Sequence, residues 1–406
     1  MNAKRKFWDA VRDGITWVAM IIAVFVLLMI FIYIFRTGAS TVSWNMIRGN
    51  YNPQTIALNF EGAEAGDFPA PANLPEGYHW SSKYGFAAHD YKDHQKADHV
   101  LLTHIEPDSP LQTGTYVSGA DAGQTHRIGS EVSLQRLSYD NLEGGKTTAG
   151  PMGKMNAEET VQALDTDSVS INSLYYQTQG GGIWGSVKAT GMLIVLTLLI
   201  ALPIGIFAAI YLHELAAKNR FTGVLRSSIE MLAGVPSIIF GLLGLTVFFP
   251  LTRIFGAEGQ SIFLGALTMV VVLLPVIIRQ TEEALRVVPD GFRQGSLALG
   301  ATRTQTIFRV VLPNALPGIL SAALLSVSRI IGESAALIFT MSTIISDNPK
   351  VLQPATTLAV QIWKVMSGEQ PNFELASAIS IIILGMVLIL NLSVKLVTSR
   401  INMKWK

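Results

Sequence analysis

Residues 287–313 read VVPDGFRQGSLALGATRTQTIFRVVLP, a polar stretch held between two long apolar runs, and their local signals agree with one another. Pro289 and Asp290 open a short helix, with the Asp290 carboxylate placed to cap free backbone N–H groups. Gly300 stands where a helix needs a left-handed terminal residue, a conformation glycine adopts without a Cβ penalty. Thr302 and Gln305 have capping-box spacing for a second helix, and Ile307, Phe308, Val310 and Val311 give that helix an apolar surface before Pro313. The expected product is a bent, exposed projection on which a membrane protein docks a partner.

Outward from this loop the chain is half apolar and only 15% charged, with its apolar residues bunched into runs too long for a soluble core. Ile15 to Phe35 is 21 residues without a charge. Further runs lie near Ala189 to Leu212, Ile229 to Phe249, Ser261 to Ile278, Asn314 to Ile345 and Leu375 to Val394, which makes six expected spans. The first is too long for a cleaved signal core and lacks a small-residue cleavage site, so it reads as a retained anchor.

Lys and Arg set the orientation. Lys4, Arg5, Lys6, Arg12, Lys218, Arg220, Arg226, Arg279, Arg286, Arg293, Arg303, Arg309, Lys395, Arg400, Lys404 and Lys406 all fall on one side if both termini are cytoplasmic. Three regions follow: 1–36, a cytoplasmic N-terminus and first span; 37–183, an extracytoplasmic insertion; and 184–406, a transmembrane core carrying the loop 279–313. The insertion holds 17 acidic and 8 basic residues and is of domain size. Its first part, through Pro53, Pro69, Pro71 and Pro75, looks like irregular connection, whereas Val100 to Ile105 and Ile128 to Tyr139 alternate like strands. A small, partly β domain is expected there, joined to the core at the glycine-rich Gly180 to Gly182. Cysteine is absent, which excludes disulfides and thiol chemistry.

The loop resembles the permease subunits of ATP-driven importers, whose pattern is E-A-A, three residues, G, nine residues, I-x-L-P. Gln294, Gly295 and Ser296 stand for the triplet, Gly300 for the glycine and Val310 for the isoleucine, and Leu312 and Pro313 close it. The spacing is kept while glutamine replaces the acid. YLHELAAKNRFTGVLR (211–226), LAGVPSIIFGLLGL (232–245) and SRIIGESAALIFT (328–340) sharpen the resemblance to phosphate-specific ABC importer permeases of the PstA type, over about Gly185 to Lys406.

The resemblance implies an all-α polytopic core of six transmembrane helices, with the insertion between the first two. It implies a subunit that moves inorganic phosphate inward across the bacterial cytoplasmic (inner) membrane and docks an ATP-binding subunit through its loop. The implied partners are a second homologous permease chain in a heterodimer, two ATP-binding subunits, an extracytoplasmic phosphate-binding protein and membrane lipid, without nucleic acid. ATP belongs to the partner subunits, and no cofactor, metal or catalytic residue is expected on this chain.

Independently of the resemblance, Arg329 lies deep in an apolar span, where an arginine costs about 2.5–3.5 kcal/mol on insertion scales and should face protein or water. Helical spacing groups it with Ala322, Ser326, Gly332, Glu333 and Ala336, so it is expected to point inward with Glu333 holding its guanidinium. A guanidinium offers a planar donor pair that matches phosphate oxygens. Arg279, at the end of the fourth span, is a candidate second positive station. Gly234 and Pro236 should interrupt the third span.

Other chemistry is weakly signalled. His89, His94, His99 and His104, interleaved with Asp90, Asp93 and Asp98, invite a metal reading, but their five-residue steps do not share a helical face. NLEGGKTT (141–148) lacks the first glycine of a phosphate loop, with Asp140 in its place. No serine, histidine and acid grouping supports a hydrolase. The alternatives left open are another oxyanion, sulfate or molybdate, and a membrane sensor or scaffold with a ligand-binding outer domain.

Overall fold

The computed structural model describes residues 3–71, 73–92, 98–117, 122–129, 131–178, 180–217, 219–368 and 371–403. Asp93, His94, Lys218, Lys404 and Lys406 lie outside the described residues. The chain forms two compact units: Gly49–Gly182, and Met1–Arg48 together with Ile183–Lys406.

In the second of these, α1 (Ala3–Gly38) and α2 (Trp44–Arg48) precede the inserted unit. The inserted unit is a nine-stranded sheet with one helix, more extensively β than the partly β domain expected. Its strands are β1 (Thr55–Glu64), β2 (Tyr78–Ser81), β3 (Phe86–Lys92), β4 (Asp98–Ile105), β5 (Thr113–Tyr116), β6 (Thr125–Arg127), β7 (Val132–Asn141), β8 (Lys146–Ala149) and β9 (Ser168–Gln177), with α3 (Ala157–Asp167) before β9. All nine pair antiparallel in the order β2-β3-β4-β7-β9-β1-β5-β6, with β8 added on β7.

The expected strands are β4 and β7. The expected irregular connection is corrected: between Pro53 and Pro69 runs β1, whose Ile56, Leu58 and Phe60 point to the core face in period two while Thr55 pairs with Gln177 of β9. Leu58, Phe86, Leu102, Leu134, Leu137 and Leu174 close that core. A capping box between Asn156 and Glu159 starts α3, and Asp90 Oδ1 accepts from the Ala157 N–H at 2.8 Å.

NLEGGKTT is the turn between β7 and β8, with Gly144 at φ +81° and Asn141 Oδ1 accepting from the Gly145 N–H at 2.6 Å. The following residues form a strand, so no helix N-terminus is present to receive a phosphate. His89 stacks on Tyr78, with centroids 4.3 Å apart, His99 Nδ1 meets Ser133 Oγ at 3.2 Å, and His104 Nε2 meets Glu106 at 3.4 Å. Among the described residues no three metal-ligating side chains converge.

After the inserted unit come α4 (Trp184–Ile210), α5 (Arg220–Ala233), α6 (Ser237–Leu243), α7 (Phe249–Ile254), α8 (Ile262–Val287), α9 (Asp290–Ala298), α10 (Arg303–Thr306), α11 (Leu312–Gly332), α12 (Ala335–Thr340), α13 (Leu358–Met366) and α14 (Phe373–Met403). Widened π turns at Tyr211–Leu215, Gly244–Phe248 and Ile307–Val311 extend α4, join α6 to α7 and join α10 to α11.

Six helical stretches among the described residues are long and apolar enough to cross a membrane: Val11–Gly38, Trp184–Leu215, Ser237–Ile254, Ile262–Val287, Arg303–Gly332 and Phe373–Ser393. Two boundaries differ from expectation. The third span starts at Ser237, because Gly234 and Pro236 end α5, and Arg220–Ala233 form a separate amphipathic helix rather than the head of the span. The fifth ends at Gly332 instead of Ile345, because the chain turns extended at Glu333, with φ −77° and ψ 125°.

α8 is the most buried of the six. Small residues let its neighbours approach: a Cβ on Gly205 of α4 would lie 2.5 Å from Ile277, and Gly318 of α11 sits against Ala284.

Candidate functional site

The loop after α8 builds the corner that its sequence encodes. Pro289 precedes α9, whose C-terminus closes as a Schellman motif: the Gly300 N–H donates to Leu297 O at 3.0 Å and the Ala301 N–H to Ser296 O at 3.2 Å. Gly300 has φ +84°. Thr302 Oγ1 then accepts from the Gln305 N–H at 3.2 Å, and Gln305 Oε1 from the Thr302 N–H at 2.9 Å, a complete capping box for α10. Ser296 and Thr306 hydroxyls meet at 3.0 Å across the corner.

Two local expectations are corrected. Asp290 does not cap α9; its Oδ1 lies 3.3 Å from Arg293 Nη1, since an acid inside the first turn points back along the helix surface. Pro313 does not close a separate second helix. The π turn Ile307–Val311 carries the helix through Leu312 and Pro313 into α11.

Gln294, Gly295 and Gly300 are exposed, and Ser296 is half-buried. Phe292, Leu297 and Leu299 stand out beside them, Leu299 being 91% exposed. On the other side Ile307 and Val311 are buried with Ile210, Leu285, Val288, Ala315 and Ile319. The corner therefore has an anchored side and a free apolar side rimmed by polar residues.

Sequence reasoning missed how α9 is attached. Arg293, counted there only as a charge for orientation, donates from Nη2 to Glu214 Oε1 at 2.7 Å and to Leu285 O at 2.8 Å, and from Nη1 to Val288 O at 2.6 Å. The two side chains are only 16% and 11% exposed. His213 Nδ1 adds a contact to Glu214 Oε1 at 3.1 Å. The signal was a glutamate inside an otherwise apolar stretch, YLHEL, which needs a cationic partner. Beside it, Arg226 of α5 donates to Leu212 O at 2.7 Å and pairs with Glu282 of α8 at 2.9 Å.

Arg279, Arg329 and Glu333 do not form one constellation. Arg279 pairs with Glu230 of α5 at 2.8 Å, both side chains being about half exposed, so its charge is matched. Arg329 lies in the last turn of α11 and is exposed; Ala322, Ser326 and Ile330 take the buried register, which places the guanidinium off the face this chain buries. Glu333 does not hold it. The helix has ended by Glu333, whose Oε1 accepts from the Ala336 N–H at 3.3 Å and so serves the start of α12. With Gly318 level with Ala284, Arg329 stands about 9 Å further along the bundle than Arg279, at 1.5 Å per helical residue.

Residues 201–404 match the family described as binding-protein-dependent transport system inner membrane component. The chain belongs to this family. Relatives include the probable ABC transporter permease protein YqgI of Bacillus subtilis, 36% identical over 231 residues, which cover 53% of this chain and 77% of that protein. The phosphate transport system permease protein PstA of Yersinia pestis is 31% identical, over 55% of this chain and 74% of its own length. PstA 1 of Mycobacterium tuberculosis H37Rv is 37% identical over 42% of this chain, and the match spans about half of that relative, 53%. Family membership together with six apolar helices makes this a multi-pass inner-membrane transport subunit. The matched region contains the whole α9–Gly300–α10 corner.

Proposed function

We propose that the chain is the PstA-type permease subunit of an ATP-driven phosphate importer. The observation that carries this reading is the Gly300 corner, an exposed helix-turn-helix with an anchored side, in a chain whose membrane half belongs to the binding-protein-dependent permease family and whose relatives include phosphate transport permeases. The free side, with Gln294, Gly295 and Ser296 at its centre and Phe292, Leu297 and Leu299 around them, docks an ATP-binding subunit. Because Gln294 replaces the family acid, docking relies on shape more than on charge. Leu312 and Pro313 hold the corner at the head of α11.

On this reading both termini are cytoplasmic and the sheet unit is extracytoplasmic. ATP is bound and hydrolysed by two partner subunits, a second permease chain completes the path, and a binding protein delivers phosphate. Arg329, exposed on α11 without an ion pair to a carboxylate among the described residues, faces that path and offers its donor fork to the anion. Glu333 shapes the break after α11 rather than gripping the arginine, and Arg279 serves the α5–α8 contact before any passing anion. Alternation between outward-open and inward-open states follows from contacts that differ between the two states.

Reconstitution with a second permease chain and the ATP-binding subunits in proteoliposomes tests the reading. Phosphate accumulation should require ATP and binding protein, and excess sulfate or molybdate should not compete. Competition by either oxyanion, or ATP-independent accumulation, refutes it.

A further inference from the structure

α9 has no buried residue, yet it is the element on which the ATP-binding subunit is proposed to push. Among the described residues, its side-chain hydrogen bonds to the rest of the chain run through Arg293 and Ser296; Ser296 reaches Thr306 in the next helix, and Arg293 reaches the bundle. Its guanidinium closes the end of α8 by donating to Leu285 O and Val288 O, where the helix stops and Leu285 O otherwise accepts from the Val288 N–H at 3.4 Å. Its third partner, Glu214, belongs to the π turn Tyr211–Leu215 that ends α4.

That five-residue turn is held a second time. Leu212 O accepts from Arg226 of α5, and Arg226 in turn pairs with Glu282 of α8. α5 runs directly into the Gly234–Pro236 break and then into α6. Two arginines thus tie α9, α8 and α5 to one irregular turn, of a kind that recurs at functional sites within helices.

We propose, resting on the transport reading above, that Arg293 and Glu214 are a positioning pair that transmits displacement of the α9–Gly300 corner to the end of α4, and through Arg226 to α5. Neither residue touches phosphate or ATP. Without the pair the corner still binds its ATP-binding subunit, because the outer face of α9 is unchanged, but it moves without carrying α4 and α5. ATP hydrolysis then continues while phosphate movement falls behind.

The test uses the assembled complex in proteoliposomes with inorganic phosphate, measuring ATP hydrolysed, phosphate taken up and ATP-binding subunit retained. Arg293→Gln and Glu214→Gln should each keep the subunit and lower phosphate moved per ATP by about fivefold or more, the lower end of couplings between linked sites. The double variant should match the singles, since each alone already removes the shared contact. Glu214→Asp and Arg293→Lys, which keep charge with poorer geometry, should fall between parent and Gln variants. They decide the matter alone if the Gln variants do not assemble.

A parental phosphate-to-ATP ratio in all of these variants overturns the proposal. So does loss of the ATP-binding subunit in step with uptake, because the pair would then merely fold the loop. Absence of ATP-dependent phosphate uptake by the parent complex overturns the transport reading and this inference together.

Discussion

Gly300→Val tests the backbone geometry of the corner apart from its packing within the chain. A Cβ built at Gly300 meets nothing within 4 Å, so the substitution creates no clash with the rest of this chain. What remains is φ +84°, which costs an L-residue roughly 1–2 kcal/mol and a β-branched one the upper end or more. Relaxing to negative φ would abandon the donations to Leu297 O and Ser296 O. A shift of 1–2 kcal/mol lowers the bent population by a factor of roughly 5–30. Co-purification of the ATP-binding subunit and phosphate uptake should therefore fall in the order Gly, Asn, Ala, Val, with Asn near the parent because it tolerates the left-handed region. Equal uptake and equal co-purification for Val and Gly would refute the claim that the left-handed residue sets the docking shape.

Gln294→Ala should reduce co-purification far less than Gly300→Val, since its exposed amide is one contact on a surface read by shape; a larger loss reverses that assignment. Arg329→Lys should retain part of phosphate uptake and Arg329→Gln lose nearly all of it, both normalised to assembled complex; parental transport by Arg329→Gln makes Arg329 a packing or topology residue. Burial holds the His89 imidazole below its ordinary value of 6.5, with Nδ1 unpartnered among the described residues of the sheet unit. The neutral ring is the one the fold accepts, so stability is present at neutral pH and declines as pH falls through the histidine range. Thermal unfolding of the sheet signal should show this decline, and His89→Phe should flatten it; an unchanged slope refutes it. Replacing 49–182 by a short Gly/Ser bridge should leave a chain that inserts and joins its partner permease, and failure of either makes the sheet unit structural.

What the sequence made legible is what short-range chemistry controls. The Gly300 corner and the Thr302–Gln305 box need only residues a few positions apart, and span existence needs only hydrophobic length. β1 was misread because its flanking prolines outweighed a short Ile56, Leu58, Phe60 alternation. Excising Asn50 to Met155 alone would remove β1 and β7 and leave β9 without either of its sheet partners. The Arg329–Glu333 pair failed because helical spacing holds only within a helix, and α11 stops between them. Arg293 and Glu214 lie 79 positions apart, so no local pattern could join them; only the isolated acid in YLHEL hinted that a distant cation was needed.

The sheet unit begins and ends at one place. The Gly181 and Gly182 N–H groups donate to Tyr51 O at 2.9 Å and Asn50 O at 3.0 Å, and Gly182 lies so close to Gly49 that a side chain there has no room. Just beyond, the Ile183 N–H donates to Met46 O at 3.0 Å, so the helical unit too has its two ends side by side. An interruption with touching ends adds no open loop for folding to close. To the helical unit, the residues between Arg48 and Ile183 amount to the tip of a hairpin, whatever their number. That tip is a socket: any folded module whose own termini are adjacent, a fluorescent reporter or an affinity domain, fits there by the same geometry and would report on a transporter whose helices carry no added label.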